Sequence, residues 1–402
     1  MKKLGVLVAQ HPAINHAVIL NEIRQLRRHF DVYTASIRAP DRGVDQLTEV
    51  ERDERSRTYY VKPEGVSGAV RAHAATLALR PGAYLSGLLY ALKLGGTHPR
   101  RALFHFGYFT QALMVGQWMR RNGLTHLHAH YSSTVGLLVQ RVFGVQLSIS
   151  FHGPDEFADP AGFRIREKVK ACTFVRAISQ YARSQLMMSS DAADWGKIEV
   201  VYMGVDPELF TPRPFRGDTA PVELICVGRL APVKAQAILI DAVGRVAAHG
   251  ANLLLHVVGG GPDRAALEAL VEQRGLGPHV TFHGFTPQDK LEQLYRRTDI
   301  FALASFAEGV PGVLMEAMAM EIPCVATWIT GVPELIRNGT DGLLAAASDA
   351  EGFAAEIERL IGDPELRLRV GQAGRARVLE RFDLVKNSAQ LAGVFDRFLT
   401  IR

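Results

Sequence analysis

Short apolar runs alternate with amphipathic stretches through most of this 402-residue chain, and no other feature limits the fold as strongly. The runs that indicate strands in the first half are residues 4–9, 31–35, 126–130, 146–151, 174–178 and 198–202. Those of the second half are residues 223–227, 253–258, 280–282, 300–304, 324–326 and 342–344. Strands separated by helices pair as parallel sheets, so the pattern predicts two Rossmann-like α/β halves.

The predicted helices lie between these strands, and a proline-rich stretch separates the halves. The helices are predicted over 16–29, 132–143, 180–188, 236–248, 264–274, 289–297, 313–320 and 350–360, with a helical but irregular segment over 66–121. Four prolines within 207–221 mark a linker or hinge. We therefore predict domains over residues 1–206 and 207–380, and a last helix within 381–402 that packs back toward the first domain. Ligands of such sheets bind at the carboxyl ends of strands, and a cleft between domains is the expected active site.

The sequence argues against membrane spans and disulfide bonds. No apolar stretch has the length of about 18 uncharged residues that a membrane span needs. Residues 1–9 mimic a signal peptide, but the apolar run is short and lacks a cleavage site, so a first strand explains it better. Cys172, Cys226 and Cys324 lie far apart, which fits a reducing cytoplasm.

The two halves differ in charge. Residues 1–206 hold 26 Lys and Arg against 17 Asp and Glu, a net charge of +9, and residues 207–402 hold 20 against 24, a net charge of −4. Residues 65–154 contain eight Lys and Arg, several aromatic residues and no acidic residue. Such a segment suits a surface that meets anionic lipid headgroups or a phosphorylated acceptor. Nucleic acid and a merely solvated face are the alternatives, and we rank lipid above DNA or RNA because no nucleic-acid motif is present.

Two cations follow the first strand of the second half. Arg229 comes directly after Gly228 at the strand end, and Lys234 lies five residues further on. Arg can hold phosphate oxygens bidentately, and Lys acts as a point charge, so the pair could neutralise a diphosphate. Taken alone, the two residues fit surface cations in a βα loop better than a phosphate site.

Two glycine-rich turns follow later strands. Residues 259–262 read Gly-Gly-Gly-Pro, which permits close backbone approach but matches neither GxGxxG nor a P-loop. Residues 308–319 form a Gly- and Pro-rich turn that opens a helix, whose first backbone N–H groups can bind phosphate. Glu308 and Glu316 flank this site and would lie on the order of 12 Å apart if the span were fully helical. Their carboxylates can accept hydrogen bonds from sugar and ribose hydroxyls.

These motifs together resemble family 4 of the retaining glycosyltransferases, which have the GT-B fold of two Rossmann-like domains facing across a cleft. The resemblance is carried by residues 228–234, 259–262, 308–319 and 331–335, and Glu308 and Glu316 are similar to that family's E-x7-E motif. In the first half, residues 21–23, 126–130 and 150–153 resemble the branch that builds colanic acid and related exopolysaccharides.

The resemblance implies a role for each matching position. Arg229 and Lys234 would hold the donor diphosphate, Glu308 the hydroxyls of the donor sugar, and Glu316 the ribose. His152 would lie near the reacting centre, and Gly284 and Phe285 would contact the nucleobase. The catalytic set would be His152, Glu308, Arg229 and Lys234. The donor site would comprise Gly228, Arg229, Lys234, Gly260, Gly284, Phe285, Glu308, Gly309, Val310, Pro311, Gly312, Val313, Leu314 and Glu316.

The resemblance also implies an activity. The chain would be a retaining hexosyltransferase without metal or other cofactor, using a nucleotide sugar, with UDP the expected nucleotide. Domain 1–206 would bind a saccharide or polyprenyl-linked acceptor in exopolysaccharide or lipopolysaccharide biosynthesis. The protein would be cytoplasmic and peripheral on the inner face of the cytoplasmic membrane. No Asp-x-Asp pair, typical of metal-dependent transferases, is present, although His126, His128 and His130 alternate as a metal cluster could.

Departures from the family pattern leave other functions open. Ala235 and Glu321 stand where the family has glycine, and residues 10–13 replace a Gly-Gly loop. A sugar-nucleotide epimerase of the same fold is one alternative, but its catalytic carboxylates are not evident in the first domain. A dinucleotide-dependent oxidoreductase is disfavoured because GxGxxG is missing. A non-catalytic sugar-nucleotide-binding member is disfavoured because the full set of site residues is present.

Overall fold

The computed structural model describes residues 1–96, 98–217, 220–286 and 288–399, and the chain divides into two compact units. The first unit comprises residues 1–201 and the chain from Ser388 onward, and the second comprises residues 202–387. The division thus falls between Val201 and Tyr202, whereas the sequence placed a boundary after Asp206. Of the predicted terminal segment 381–402, residues 400–402 lie outside the described residues.

The first unit is built on a parallel sheet of seven strands in the order β3-β2-β1-β4-β5-β6-β7 within the described ranges. The strands are β1 (Lys3–Gln10), β2 (Asp31–Arg38), β3 (Thr58–Tyr60), β4 (His126–His130), β5 (Gln146–Phe151), β6 (Phe174–Ala177) and β7 (Ile198–Val200). The strand order reverses between β1 and β4, where Val6 pairs with His128. In open α/β sheets, ligands bind at the carboxyl ends of the strands beside such a reversal.

Helices connect these strands, and four of them lie within the acid-free segment 65–154. They are α1 (Ala17–Leu26), α2 (Glu49–Arg57), α3 (Gly65–Leu79), α4 (Pro81–Gly95), α5 (Pro99–Asn122), α6 (Ser133–Phe143), α7 (Ile165–Ala171) and α8 (Gln180–Met188). Residues 66–121, predicted as helical but irregular, are thus mostly three regular helices. Glycines allow these helices to approach closely, because a Cβ at Gly116 would lie 2.0 Å from the Phe143 ring and one at Gly95 would lie 2.7 Å from the Ala102 backbone.

The second unit contains a parallel sheet in the order β10-β9-β8-β11-β12-β13. Its strands are β8 (Val222–Val227), β9 (Leu253–Val258), β10 (Val280–Gly284), β11 (Ile300–Leu303), β12 (Cys324–Thr327) and β13 (Leu343–Ala345). The helices are α9 (Gln236–Ala248), α10 (Arg264–Gln273), α11 (Gln288–Arg297), α12 (Gly312–Ala319), α13 (Val332–Leu335), α14 (Ala350–Gly362), α15 (Pro364–Arg381) and α16 (Leu384–Leu399). From Ser388, α16 belongs to the first unit, where Phe395 packs edge-on against Phe174 and His128.

Candidate active site

The loops that follow β8, β9 and β10 are joined by backbone hydrogen bonds. Gly228 N–H donates to the Val258 carbonyl at 2.9 Å, and Gly259 N–H donates to the Gly284 carbonyl at 2.9 Å. Gly259 has a φ of +135°, and a Cβ there would lie 1.9 Å from the Gly228 carbonyl oxygen. Leu230 N–H in turn donates to the Gly260 carbonyl at 2.9 Å. The predicted positions Gly228, Gly260 and Gly284 therefore meet at one edge of the sheet.

The two predicted phosphate-binding cations have different surroundings. The Arg229 side chain is exposed, and in the described part of the chain its guanidinium has no hydrogen-bond partner. Lys234 is partly buried, and its Nζ donates to Glu308 Oε1 at 2.6 Å. Ser305 Oγ donates to the same oxygen at 2.7 Å. Two of the four predicted catalytic side chains, Lys234 and Glu308, thus form one hydrogen-bonded cluster with Ser305.

The backbone around Glu308 is held by the turn that precedes α13. Glu308 N–H donates to Thr330 Oγ1 at 3.2 Å, and the Thr330 hydroxyl donates to the Glu308 carbonyl. A Cβ at Gly331 would lie 1.9 Å from the Gly309 carbonyl oxygen, so only glycine fits against this loop. Phe306 N–H also donates to the Val233 carbonyl at 2.8 Å, which ties the Glu308 loop to the loop that carries Lys234.

The second carboxylate of the motif lies in a helix, and the first does not. Helix α12 begins at Gly312 after Pro311, so Glu308 is in the preceding loop. The separation of Glu308 and Glu316 estimated for one continuous helix therefore does not apply. Glu316 is partly buried and accepts a hydrogen bond from the Tyr295 hydroxyl at 3.1 Å. Burial raises the pKa of the Glu316 carboxyl to about 7, and the bond from Tyr295 lowers that pKa by less.

The remaining predicted donor residues surround these groups in the second unit. Val310 and Leu314 are buried and Val313 is partly buried, so these positions offer mainly their backbone to a ligand. Phe285 is 58% exposed and follows Gly284, which has a φ of +68°. An exposed ring at the carboxyl end of β10 is suited to stacking against a planar base.

The fourth predicted catalytic residue, His152, belongs to the first unit. It directly follows β5, is 7% exposed, and its Nε2 lies 2.9 Å from Nδ1 of His130. Burial, with the nearby Arg176 charge, holds the pKa of His152 well below its usual range, so the ring is neutral at physiological pH.

The alternating histidines of β4 are hydrogen-bonded within the sheet. His126 Nε2 and His128 Nδ1 each lie 2.7 Å from Ser148 Oγ, and His128 Nε2 lies 2.9 Å from Ser150 Oγ. The described ranges contain no group of three His, Cys, Asp or Glu side chains arranged as metal ligands.

Two positions where the sequence departs from the family pattern have left-handed backbone. Ala235 has a φ of +49° and Glu321 a φ of +59°. Glycine adopts this conformation without steric cost, whereas other residues do not. The geometry explains why glycine would suit both positions.

Three contacting residues were absent from the sequence-based site: Ser305, Thr330 and Tyr295. Ser305 stands just beyond the end of β11, where a polar residue after a buried strand is a usable signal. Thr330 lies in a turn with a φ of +43°, and Tyr295 is fully buried within α11. In the sequence Thr330 resembles any turn residue and Tyr295 any core residue, so neither indicated a ligand site.

Comparisons with known proteins agree with this geometry. Residues 212–377 match the family model described as glycosyl transferases group 1. The chain is 34% identical over 207 residues to WcaL of Salmonella typhimurium, a putative colanic acid biosynthesis glycosyltransferase, covering 49% of this chain and 50% of the relative. It is 32% identical over 207 residues to AmsK of Erwinia amylovora, an amylovoran biosynthesis glycosyltransferase, covering 50% and 51%. The matches span about half the length of these curated relatives.

A solved structure extends the similarity of fold to the whole chain. HepE (Alr3699) of Anabaena, in complex with UDP-glucose, aligns with a TM-score of 0.73 at 19% identity, covering 99% of this chain and 100% of that chain. The predicted GT-B fold and the predicted resemblance to exopolysaccharide transferases are therefore confirmed. The chain has the GT-B fold, and its residues 212–377 match the family model of the glycosyl transferases group 1.

Proposed function

We propose that this chain is a glycosyltransferase that moves a hexose from a nucleotide-diphosphate sugar to a saccharide acceptor during exopolysaccharide assembly. The observation that carries the proposal is the Lys234–Glu308–Ser305 cluster, which lies in the segment that matches the family model. The colanic acid and amylovoran functions in the names of WcaL and AmsK support the pathway. The names of these relatives do not favour the epimerase alternative.

The cluster suggests how the donor is held. Glu308 Oε1 already accepts from Lys234 and Ser305, and among described residues Oε2 has no partner, so it is available to a sugar hydroxyl. An ammonium has three donors, so Lys234 can keep its bond to Glu308 and still donate to a phosphate oxygen. Arg229 and the first N–H groups of α12 supply further charge and donors for the diphosphate. Glu316 accepts from a ribose hydroxyl.

The same groups favour departure of the nucleoside diphosphate. Negative charge develops on the leaving diphosphate in the transition state, and fixed cations and N–H groups stabilise it there. We therefore propose transfer without a metal cofactor. The resemblance to retaining glycosyltransferases supports the further proposal that anomeric configuration is retained. UDP is the proposed nucleotide, which the UDP-glucose complex of HepE supports.

Binding of nucleotides to the purified protein tests this proposal. A ligand that binds only the folded state stabilises it by about 2.7 kcal/mol at 100 times its dissociation constant. We expect UDP and UDP-sugars to raise the melting temperature of the protein equally with and without EDTA. We also expect the protein to consume UDP-sugar in the presence of a saccharide acceptor when EDTA is added. The function fails if neither nucleoside diphosphates nor their sugars shift the melting temperature. Activity that is lost on chelation and restored by manganese would contradict the metal-free mechanism alone.

We also propose that the first unit docks on an anionic membrane surface, where it meets a lipid-linked acceptor on the inner face of the cytoplasmic membrane. No helix in the described ranges has the length and apolarity of a membrane span. Where α4 ends and α5 begins, large apolar side chains project into solvent: Leu89 is 67% exposed, Leu103 71% and Phe104 68%. Lys93, Arg100 and Arg101 are also exposed in this region. We call this surface the α4–α5 corner, and it comprises Leu89, Leu92, Lys93, Arg100, Arg101, Leu103 and Phe104.

The composition of the α4–α5 corner matches an anionic bilayer. Apolar side chains can enter the headgroup boundary while cations contact the lipid phosphates, and each such cation contributes about 1 kcal/mol. Arg120 and Arg121 are also exposed but lie at the other end of α5, a helix of 24 residues and therefore about 36 Å long. These two cations are thus a matched control for the corner.

Charge reversal at the corner is expected to weaken binding to anionic vesicles. The Arg100→Glu and Arg101→Glu double variant loses two cations, which corresponds to about 30-fold weaker binding or more. Co-sedimentation with phosphatidylglycerol-containing vesicles should fall accordingly, and salt should weaken wild-type binding. The Arg120→Glu and Arg121→Glu variant carries the same charge change and should bind nearly as wild type. Equal binding to neutral vesicles, or an equal loss in the control, would rule out docking through the corner.

A further inference from the structure

His152 is fixed by three contacts, two made by its imidazole ring and one by its backbone N–H. Its Nε2 lies 2.9 Å from Nδ1 of His130, and its backbone N–H donates to Glu156 Oε2 at 2.5 Å. The Tyr131 ring stacks on it with a centroid distance of 4.5 Å and an interplanar angle of 26°. Tyr131 also stacks on His16 with a centroid distance of 4.8 Å, so Tyr131 contacts two imidazoles. The ring of His152 therefore has little freedom to turn.

The backbone of Tyr131 is strained in support of this arrangement. Tyr131 has a φ of +58°, a conformation that a bulky residue rarely adopts. It directly follows β4, at the strand reversal where such sheets bind ligands. The Nδ1 of His16 lies 3.0 Å from the Gln10 carbonyl oxygen. Because a carbonyl oxygen can only accept a hydrogen bond, Nδ1 of His16 carries the proton. Strain that surrounding contacts maintain in this way is typical of functional sites.

The surroundings of His130 locate the proton between the two imidazoles. His130 is fully buried, and its Nε2 is enclosed without a hydrogen-bond partner in the described structure. Burial and neighbouring positive charge hold the pKa of both rings well below the usual range, so each ring carries one proton. A buried N–H without a partner is rarer and costlier than a buried acceptor without one. The His130 proton therefore lies on Nδ1, which donates to His152 Nε2.

We propose that His130 is a positioning residue that holds His152 as the Nδ1–H tautomer, so that His152 presents a hydrogen-bond donor to the oxygen of a sugar. Nε2 of His152 is occupied as the acceptor from His130, so its proton must lie on Nδ1. Nδ1 has no hydrogen-bond partner among the described residues and is not among the enclosed orphan nitrogens. His152 thus acts as a donor and not as a general base. The contact with the donor sugar rests on the proposed function, whereas the tautomer does not.

Nitrogen NMR of histidine-labelled protein tests the tautomer without any ligand. Protonated and bare imidazole nitrogens give separate ¹⁵N signals, and the spectrum of His152→Asn identifies the His152 signals by their loss. In the wild type we expect His152 protonated on Nδ1 and unprotonated on Nε2. In His130→Leu, where no donor faces Nε2, that pattern should be lost. His152 protonated on Nε2 in the wild type, or the wild-type pattern in His130→Leu, would overturn the proposal.

Two further variants separate positioning from packing. The amide nitrogen of asparagine can stand in place of imidazole Nδ1, so His130→Asn should retain the wild-type signals of His152. His126→Leu removes a histidine from the same buried strand without touching His152, and it should also leave these signals unchanged.

Transfer kinetics then test the contact with the sugar. Removal of a residue that orients a metal-bound imidazole typically costs about 10- to 100-fold in activity, and we expect a comparable loss for an imidazole that contacts a sugar. We expect kcat to fall by about that factor in His130→Leu and to recover in His130→Asn, with little change in His126→Leu. A protein that shows the expected tautomer but transfers no sugar would refute the proposed function and leave the role of His130 intact. Unchanged kcat in His130→Leu would refute the positioning role.

Discussion

Replacement of Lys234 by methionine is expected to lower kcat for sugar transfer by about 100- to 1000-fold, which corresponds to about 2.7–4 kcal/mol. The variant keeps the length and apolar stem of the side chain but removes the charge that we propose faces the leaving diphosphate. It also leaves the Glu308 carboxylate without the cation that now lies 2.6 Å away, so a negative group would face the incoming phosphates. Steady-state kinetics with UDP-sugar and a saccharide acceptor measure the effect.

A double-mutant cycle separates these two causes. Glu308→Gln alone should lower kcat because a neutral amide is a weaker acceptor for the sugar hydroxyl. In the Lys234→Met, Glu308→Gln double variant the unpaired carboxylate is gone, so the combined loss should be smaller than the product of the single losses. Residues in direct contact typically couple by about 0.5–3 kcal/mol. Strict additivity would mean that the pair does not act as a unit.

Two other cations serve as comparisons. Arg229→Met should weaken donor binding less than Lys234→Met, because the Arg229 side chain is exposed to solvent that screens its charge. Arg245→Met removes a cation of α9 that is 51% exposed and pairs loosely with Glu351 at 3.9 Å, and it should leave transfer unchanged. Wild-type kinetics in both Lys234→Met and Arg229→Met would remove these residues from the diphosphate site.

The sequence predicted the central strands well because their signal is local. Strands β4, β5 and β9 begin and end where the buried apolar runs predicted. The short edge strand β3 was missed, since three residues are too few to show an alternating pattern. Helix α2 was missed because its nine residues include no apolar stripe. It depends instead on a capping box, in which Thr48 and Glu51 satisfy each other's backbone N–H groups.

The site was predictable where charge and spacing mark a residue. Arg229, Lys234, Glu308 and Glu316 stand out in the sequence because charged side chains next to glycine-rich strand ends are unusual. The hydrogen bonds among them were not predictable. Lys234 contacts Glu308 only because two separate loops meet at the carboxyl ends of the strands, a tertiary fact that spacing along the chain does not contain.

The buried ion pair between Glu22 and Arg176 gives the largest expected effect on stability. Glu22 in α1 and Arg176 in β6 are 2% and 0% exposed, and both Glu22 oxygens accept from Arg176 Nη1 at 2.7 and 2.6 Å. Arg176 Nε also donates to the Val201 carbonyl at 2.8 Å. Glu22→Leu leaves an uncompensated buried charge, which typically costs about 3–5 kcal/mol. We expect the free energy of unfolding of the first unit to fall by that amount.

Fluorescence can report the first unit alone in these experiments. Of the three tryptophans, Trp118 and Trp195 lie in the first unit and Trp328 in the second, so a Trp328→Phe background restricts the signal to the first. Urea unfolding in that background should show the loss in Glu22→Leu and a substantial recovery in the Glu22→Leu, Arg176→Met double variant, which removes both charges of the pair. Asp191→Ala breaks the exposed pair with Arg166 and should cost far less, because solvent screens that pair. A loss in Glu22→Leu no larger than that of Asp191→Ala would mean that the Arg176 charge is not held in a dry interior.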